Sequence, residues 1–181
     1  MLATAAMRRA CTRTLCASPR VMRPTSQPTL SFDPSAKTAM DKQEPPAPGA
    51  DFRVVIVGAG NINFGSDEGP WNHSFRLEHK LGPRLKVVAL IDPDAERARR
   101  VLKTKCQSFV LSAYKDTVVY PTFKDYMASV CAETYPHAVW VGSPPAFRGG
   151  TEPGRNLEQL LTAGLPNVPL FIEKPVSTGA V

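Results

Sequence analysis

From residue 51 onward, short apolar runs rich in β-branched residues alternate with segments whose apolar positions recur every three or four residues. The first run, Phe52 to Val57 (FRVVIV), ends at Gly58. A continuous apolar run of this length predicts a strand buried on both faces, where strict alternation would predict one face in water. Lys86 to Ile91 (KVVALI), His137 to Val141 (HAVWV) and Val168 to Ile172 (VPLFI) predict three more, and Val118 to Tyr120 is a weaker strand between them. Trp71 to Leu81 sets Trp71, Phe75 and Leu81 among polar neighbours and stops at Gly82-Pro83, which predicts a helix. Another opens at Asp92-Pro93-Asp94 and carries Arg97, Arg99, Arg100 and Lys103 further along, the charge order a helix dipole favours. Phe123 to Ala132, with Phe123, Met127 and Val130 on one side, and Leu157 to Ala163, closed by Gly164, complete the set. Strands and helices alternating so regularly predict an α/β fold, a doubly wound parallel sheet covered on both faces. Such sheets bind ligands at the carboxyl ends of their strands.

Residues 1–50 show no such period. Seven of the 18 prolines fall there, so the chain divides into a tail (1–50) and a domain (51–181). With 43% hydrophobic and 21% charged residues, the composition is globular and excludes a wholly disordered chain. The net charge of +6 changes the picture only once it is located. The tail holds seven cations against three anions and the domain 15 against 13, so the basicity belongs to the tail and a nucleic-acid partner is not expected. Residues 1–32 contain five arginines and no acid, the composition of a mitochondrial transit peptide. Met7, Cys11 and Leu15 share a helical stripe opposite Arg9 and Arg13, although Leu2 falls on the arginine side. A disordered extension, or translation from Met40, are the alternatives. No apolar run approaches the ~18–20 residues that span a bilayer, so no membrane partner is expected. None of the four cysteines (Cys11, Cys16, Cys106, Cys131) forms a CxxC pair, so neither a metal site nor a disulfide framework is indicated. A reducing compartment follows: the cytoplasm, or the mitochondrial matrix if the tail is a targeting segment.

The predicted strand ends hold the candidate chemistry. After the first comes Gly58-Ala59-Gly60-Asn61-Ile62-Asn63, with the first two glycines of a dinucleotide fingerprint and Asn63 where the third would stand. The first glycine permits a tight turn, the second lets backbone N–H groups approach a pyrophosphate, and the third lets helix and strand pack closely. Gly65 is the substitute for the third if the loop is longer, and Phe64 to Pro70 (FGSDEGP) reads as an insertion that lengthens it. The second strand ends in Asp92, whose carboxylate suits the ribose hydroxyls and repels a 2′-phosphate, favouring NAD over NADP. It lies beyond the usual distance of about 20 residues, and a helix cap is its bland alternative. The fourth strand runs into Gly142-Ser143-Pro144-Pro145 and the fifth into Glu173-Lys174-Pro175. Two proline turns at one sheet edge suit rigid walls against a flat ligand, and Lys174 is a cation placed to bind a substrate oxygen or help move a proton.

VVIVGAGNIN, VVALIDPD, AVWVGSPPAF and PLFIEKPVST together resemble the amino-terminal, Rossmann-like domain of the Gfo/Idh/MocA oxidoreductases, over about residues 51–179. The resemblance implies an NAD(P)-dependent enzyme that transfers hydride to or from a hydroxyl-bearing carbon of a small sugar-like or cyclitol substrate. It places Gly58, Gly60, Asn61 and Ile62 on the pyrophosphate. Ser143, Pro144 and Pro145 would line the nicotinamide pocket, with Glu173 beside it. Lys174 would be the catalytic residue, touching nicotinamide ribose and substrate, and the Lys174–Pro175 bond would be cis as in relatives. Family members continue into a further strand and a substrate domain that supplies an acid–base histidine. The chain accordingly reads as the cofactor domain alone, with an open sheet edge that invites self-association into a homo-oligomer. His73 and His79 lie six apart on one predicted helix, and surface positions are their plain reading; His73, near the glycine loop, is a candidate phosphate contact.

Two further classes compete. A non-catalytic dinucleotide-binding or regulatory fragment shares every feature above, and some fungal members of the superfamily regulate rather than catalyse. A methyltransferase also uses a glycine loop and an acidic residue after its second strand, but gives no account of Glu173-Lys174-Pro175.

Overall fold

The computed structural model describes residues 46–66 and 71–175. Residues 1–45, which carry the targeting reading, part of the predicted loop insertion and the residues after Pro175 lie outside the described residues. Five strands, β1 (Phe52–Val57), β2 (Leu85–Ile91), β3 (Val118–Tyr120), β4 (Ala138–Val141) and β5 (Leu170–Ile172), form one all-parallel sheet in the order β3-β2-β1-β4-β5. The helices are α1 (Asn61–Phe64), α2 (His73–Leu81), α3 (Ala95–Cys106), α4 (Leu111–Tyr114), α5 (Phe123–Met127) and α6 (Leu157–Gly164). The order reverses at β1, whose neighbours β2 and β4 are reached from opposite directions, so the carboxyl ends of these three strands bound a crevice.

The continuous apolar runs of β1 and β2 arise because both faces of the sheet are covered there, whereas Val118 on β3 and Phe171 on β5 stay half-exposed. On one face Val54, Ile56, Leu85, Val87 and Leu90 pack against Leu77 of α2, Ala98 and Leu102 of α3 and Tyr114 of α4. On the other, Val55, Val57, Ala89, Ile91, Val139 and Val141 meet Phe123 and Tyr126 of α5 and Leu161 of α6. Side chains alternate across a strand, so β1 must be apolar at every inner position to serve both layers. Each fully buried Val or Ile contributes about 1.5–3 kcal/mol to that assembly. A register shift between Val54 and Val55 moves the β2 partner from Val87 to Ala89 and leaves Val88 unpaired with β1.

Several predicted boundaries shift. The helix expected from Trp71 starts at His73, because Asn72 caps it by accepting from Phe75 N–H at 2.9 Å. The helix expected through Ala132 ends at Met127; the Ser129 hydroxyl donates to the Tyr126 carbonyl at 3.0 Å and competes with the helical pattern. The fifth strand begins at Leu170 rather than Val168, after Pro169, which has no N–H for a ladder. Among the described residues, no helix is long and apolar enough to cross a membrane.

Candidate functional site

The strand order sets four predicted segments side by side along the carboxyl edge: Asp92 after β2, the glycine turn after β1, Gly142 to Pro145 after β4, and Glu173-Lys174 after β5. The glycine turn is built from both sides. Gly58 has φ +95°, and a side chain there would also press within 3.2 Å of the Gly142 and Ser143 backbone. Gly60 has φ −82° and a Cβ on it would meet nothing within 4 Å. Packing inside the protein therefore demands a glycine at the first position and leaves open space at the second. Asn61 and Ile62 follow as the first residues of α1.

Asn63 explains the missing third glycine. Its side chain is buried and its amide donates to the carbonyls of Val57 at 3.0 Å and Gly58 at 2.7 Å, closing the turn with hydrogen bonds instead of close backbone packing. The room comes from Gly142, where any Cβ would overlap the Asn63 amide. Gly65, the expected substitute, instead ends α1 at φ +86° and donates its N–H to the Asn61 carbonyl at 2.7 Å.

Asp92 is buried, and its carboxylate turns toward the protein. Oδ2 accepts from Ala59 N–H at 2.6 Å, and Oδ1 accepts from Asp94 N–H and from the Arg97 guanidinium, both at 2.8 Å. The capping of α3 falls to Asp94, which accepts from Arg97 N–H at 2.9 Å. That bond from Arg97 holds the Asp94 carboxyl below its ordinary range. Asp92 thus ties the end of β2 to the glycine turn and carries an ion pair with the half-exposed Arg97 at the crevice.

At the other end, Ser143 and Pro145 are half-buried and Pro144 is exposed. Lys174 is exposed, and the Lys174–Pro175 bond is cis. Glu173 is held through both carboxylate oxygens. Oε2 accepts from Lys174 N–H and Oε1 from His73 Nε2–H, each at 2.8 Å; the carboxylate can only accept, so Nε2 carries the ring proton. Partial burial raises the Glu173 pKa, but these two bonds and the nearby charges outweigh it and leave it below the ordinary value. His73 is buried at the start of α2, its ring edge-on to Phe171 at 5.1 Å, with Phe171 stacked on Trp140 at 4.0 Å. Instead of pointing to the glycine loop as a phosphate contact, it grips the Glu173 turn. His79 is exposed.

Arg148 is the residue that sequence reasoning passed over. It is 1% exposed, its Nε donates to the Ser143 carbonyl at 2.9 Å, and its Nη2 donates to the Glu173 carbonyl. A lone arginine before Gly149-Gly150 has no period or spacing that marks it as buried. For His73, the apolar Trp140 and Phe171 that enclose it come from distant strands, so its neighbours in sequence carry no signal.

The model of the oxidoreductase family with an NAD-binding Rossmann fold, Gfo/Idh/MocA, matches residues 52–181. The chain belongs to the Gfo/Idh/MocA family. The chain is also similar to two Schizosaccharomyces pombe proteins: the uncharacterized protein C12C2.04, 44% identical over 135 residues, and the uncharacterized protein UNK4.17, 41% identical over 142. These alignments cover 74% and 77% of this chain but 35% of each relative, so the chain spans about a third of their length. Among solved structures, the WlbA dehydrogenases of Chromobacterium violaceum and Bordetella pertussis, both in complex with NADH and UDP-GlcNAcA, are similar at TM-scores of 0.49 and 0.46. They are 17% and 15% identical, with 76% and 72% of this chain and 31% and 30% of theirs covered. The five-stranded parallel sheet is the Rossmann-like fold of the Gfo/Idh/MocA nucleotide-binding domain.

Proposed function

We propose that this chain is the dinucleotide-binding part of an NAD-dependent oxidoreductase acting on a hydroxyl-bearing carbon of a small sugar-like substrate. The observation that carries the reading is the asymmetry of the glycine turn. Gly58 is required by its neighbours, whereas Gly60 is bare beside open space at the carboxyl edge, which is what backbone approach to a pyrophosphate needs. Gly58, Gly60, Asn61 and Ile62 would hold the pyrophosphate, and Asp92 the adenosine ribose. Ser143, Pro144, Pro145 and Glu173 would wall the nicotinamide end. NAD is favoured over NADP because the Asp92 carboxylate stands at the β2 end, although Arg97 offsets part of its charge.

When bound, the nicotinamide supplies a hydride acceptor or donor. Lys174, exposed beside the fixed Glu173 turn, is the group that would orient the substrate oxygen and share its proton. Titration of the chain with NADH, followed by quenching of Trp71 and Trp140 fluorescence, tests the reading. Saturable binding of NADH with none of S-adenosylmethionine supports it, and the opposite pattern removes it in favour of a methyltransferase. Lys174→Ala should leave NADH affinity within about twofold, because in this reading the lysine would meet the nicotinamide ribose and substrate rather than the phosphates that carry most of the cofactor's binding.

A further inference from the structure

The β4–β5 ladder reaches its last pair at Val141 and Ile172, and beyond it, among the described residues, only the Glu173 N–H donates back, to the Val141 carbonyl at 3.2 Å. Both turns that follow, 142–145 and 173–175, therefore run on past the sheet. Arg148 stands between them. Its side chain is buried, its Nε donates to the Ser143 carbonyl, and its Nη2 donates to the Glu173 carbonyl. Glu158 of α6 lies behind it, with Oε1 at 3.7 Å from Nη1 and Oε2 accepting from Gly149 N–H at 2.8 Å. A buried guanidinium is costly unless its donors are used, and its planar fork fixes two acceptors relative to each other as no lysine can. The two carbonyls belong to the residues immediately before Pro144 and Lys174.

We propose that Arg148 is a positioning residue that sets the spacing between the Ser143-Pro144 wall and the Glu173-Lys174 turn, and so shapes the nicotinamide end of the site. The inference rests on the dinucleotide reading above. It separates the site into two halves with different supports: Asp92 and Asn63 organise the turn that would take the adenosine and pyrophosphate, and Arg148 organises the turns that would take the nicotinamide.

The test compares NADH with ADP-ribose, which lacks the nicotinamide, by calorimetric titration of the chain and of Arg148→Met and Arg148→Lys. Losing both carbonyl contacts in Arg148→Met should weaken NADH about tenfold or more while ADP-ribose stays within about twofold. Arg148→Lys retains the charge without the fork and should show the same split at smaller size, which keeps the test decisive if the methionine variant does not fold. Equal weakening of both ligands would mean that Arg148 only supports the fold, and overturns the proposal. Unchanged NADH binding in a folded variant overturns it as well. If the unaltered chain binds neither ligand, the dinucleotide reading itself fails and this inference falls with it.

Discussion

A methyl group on Gly58 would have to occupy a backbone conformation at φ +95° and press on the Gly142 and Ser143 backbone, whereas on Gly60 it would enter empty space at an ordinary φ of −82°. The two changes should therefore separate stability from binding. Gly58→Ala is expected to lower unfolding stability by about 2 kcal/mol in urea titrations. Gly60→Ala should stay within about 1 kcal/mol of the parent, or gain slightly through a stiffer unfolded chain, while losing NADH affinity. Asp92 would add the proposed ribose contact to the bonds it makes within the protein. Asp92→Ser should raise NADPH affinity relative to NADH about tenfold, since the remaining Arg97 would then face the 2′-phosphate unopposed. The same change takes from Ala59 N–H a partner at 2.6 Å, so its melting temperature should fall too. An unchanged cofactor ratio with a lowered melting temperature would leave Asp92 a purely structural residue.

Among the helices, one buried carboxylate draws three elements together. Glu78 of α2 accepts from Lys105 of α3 and from the Tyr114 hydroxyl of α4, each at 2.7 Å through the same oxygen. Burial, and then the Glu78 charge, push the Tyr114 phenol well above its ordinary value, so it stays a donor throughout the usual pH range. Glu78→Ala leaves a half-buried ammonium and a buried hydroxyl without this acceptor and should cost about 2 kcal/mol in urea unfolding. Tyr114→Phe should cost about 1 kcal/mol, since Lys105 keeps its partner. This network also shows where sequence reading stops. The central strands were legible because burial on both faces leaves uninterrupted apolar runs, and α3 because its caps and charges follow the dipole. The four-residue helices α1 and α4 are too short to display a period, and were not predicted. The candidate turns were legible as glycine and proline punctuation. Of the side chains that hold them, His73 and Arg148 reach Glu173 across 100 and 25 residues, beyond any local pattern, while Asn63 works five and six residues back, where its amide replaces an expected glycine instead of following a period.

Across the whole sheet, the His73–Glu173 contact closes a circuit between the start of α2, early in the fold, and the turn after β5, the last described strand. Its acid dependence follows from the Glu173 carboxyl, which lies below its ordinary value of 4.5 in the folded protein. A depressed carboxyl stabilises the folded state fully above its unfolded pKa, and that contribution is lost as pH falls through the folded one. Stability should accordingly be insensitive to this group above about pH 4.5 and decline below it. Acid-unfolding curves of the parent and of Glu173→Gln should converge as the pH drops, the variant being weaker only at the higher pH. Curves that remain parallel across that range would show that the carboxylate charge contributes nothing to the fold.

The lock between Asn63 and Gly142 has an evolutionary consequence. Because the amide at 63 occupies the volume that a side chain at 142 would need, the fitness of a change at one position depends on the other. Gly142→Ala should be severely damaging in this background and far milder beside Asn63→Gly, a case of epistasis between positions 79 residues apart. A lineage could therefore pass from this turn to one with the third fingerprint glycine only in a set order, with position 63 changing first.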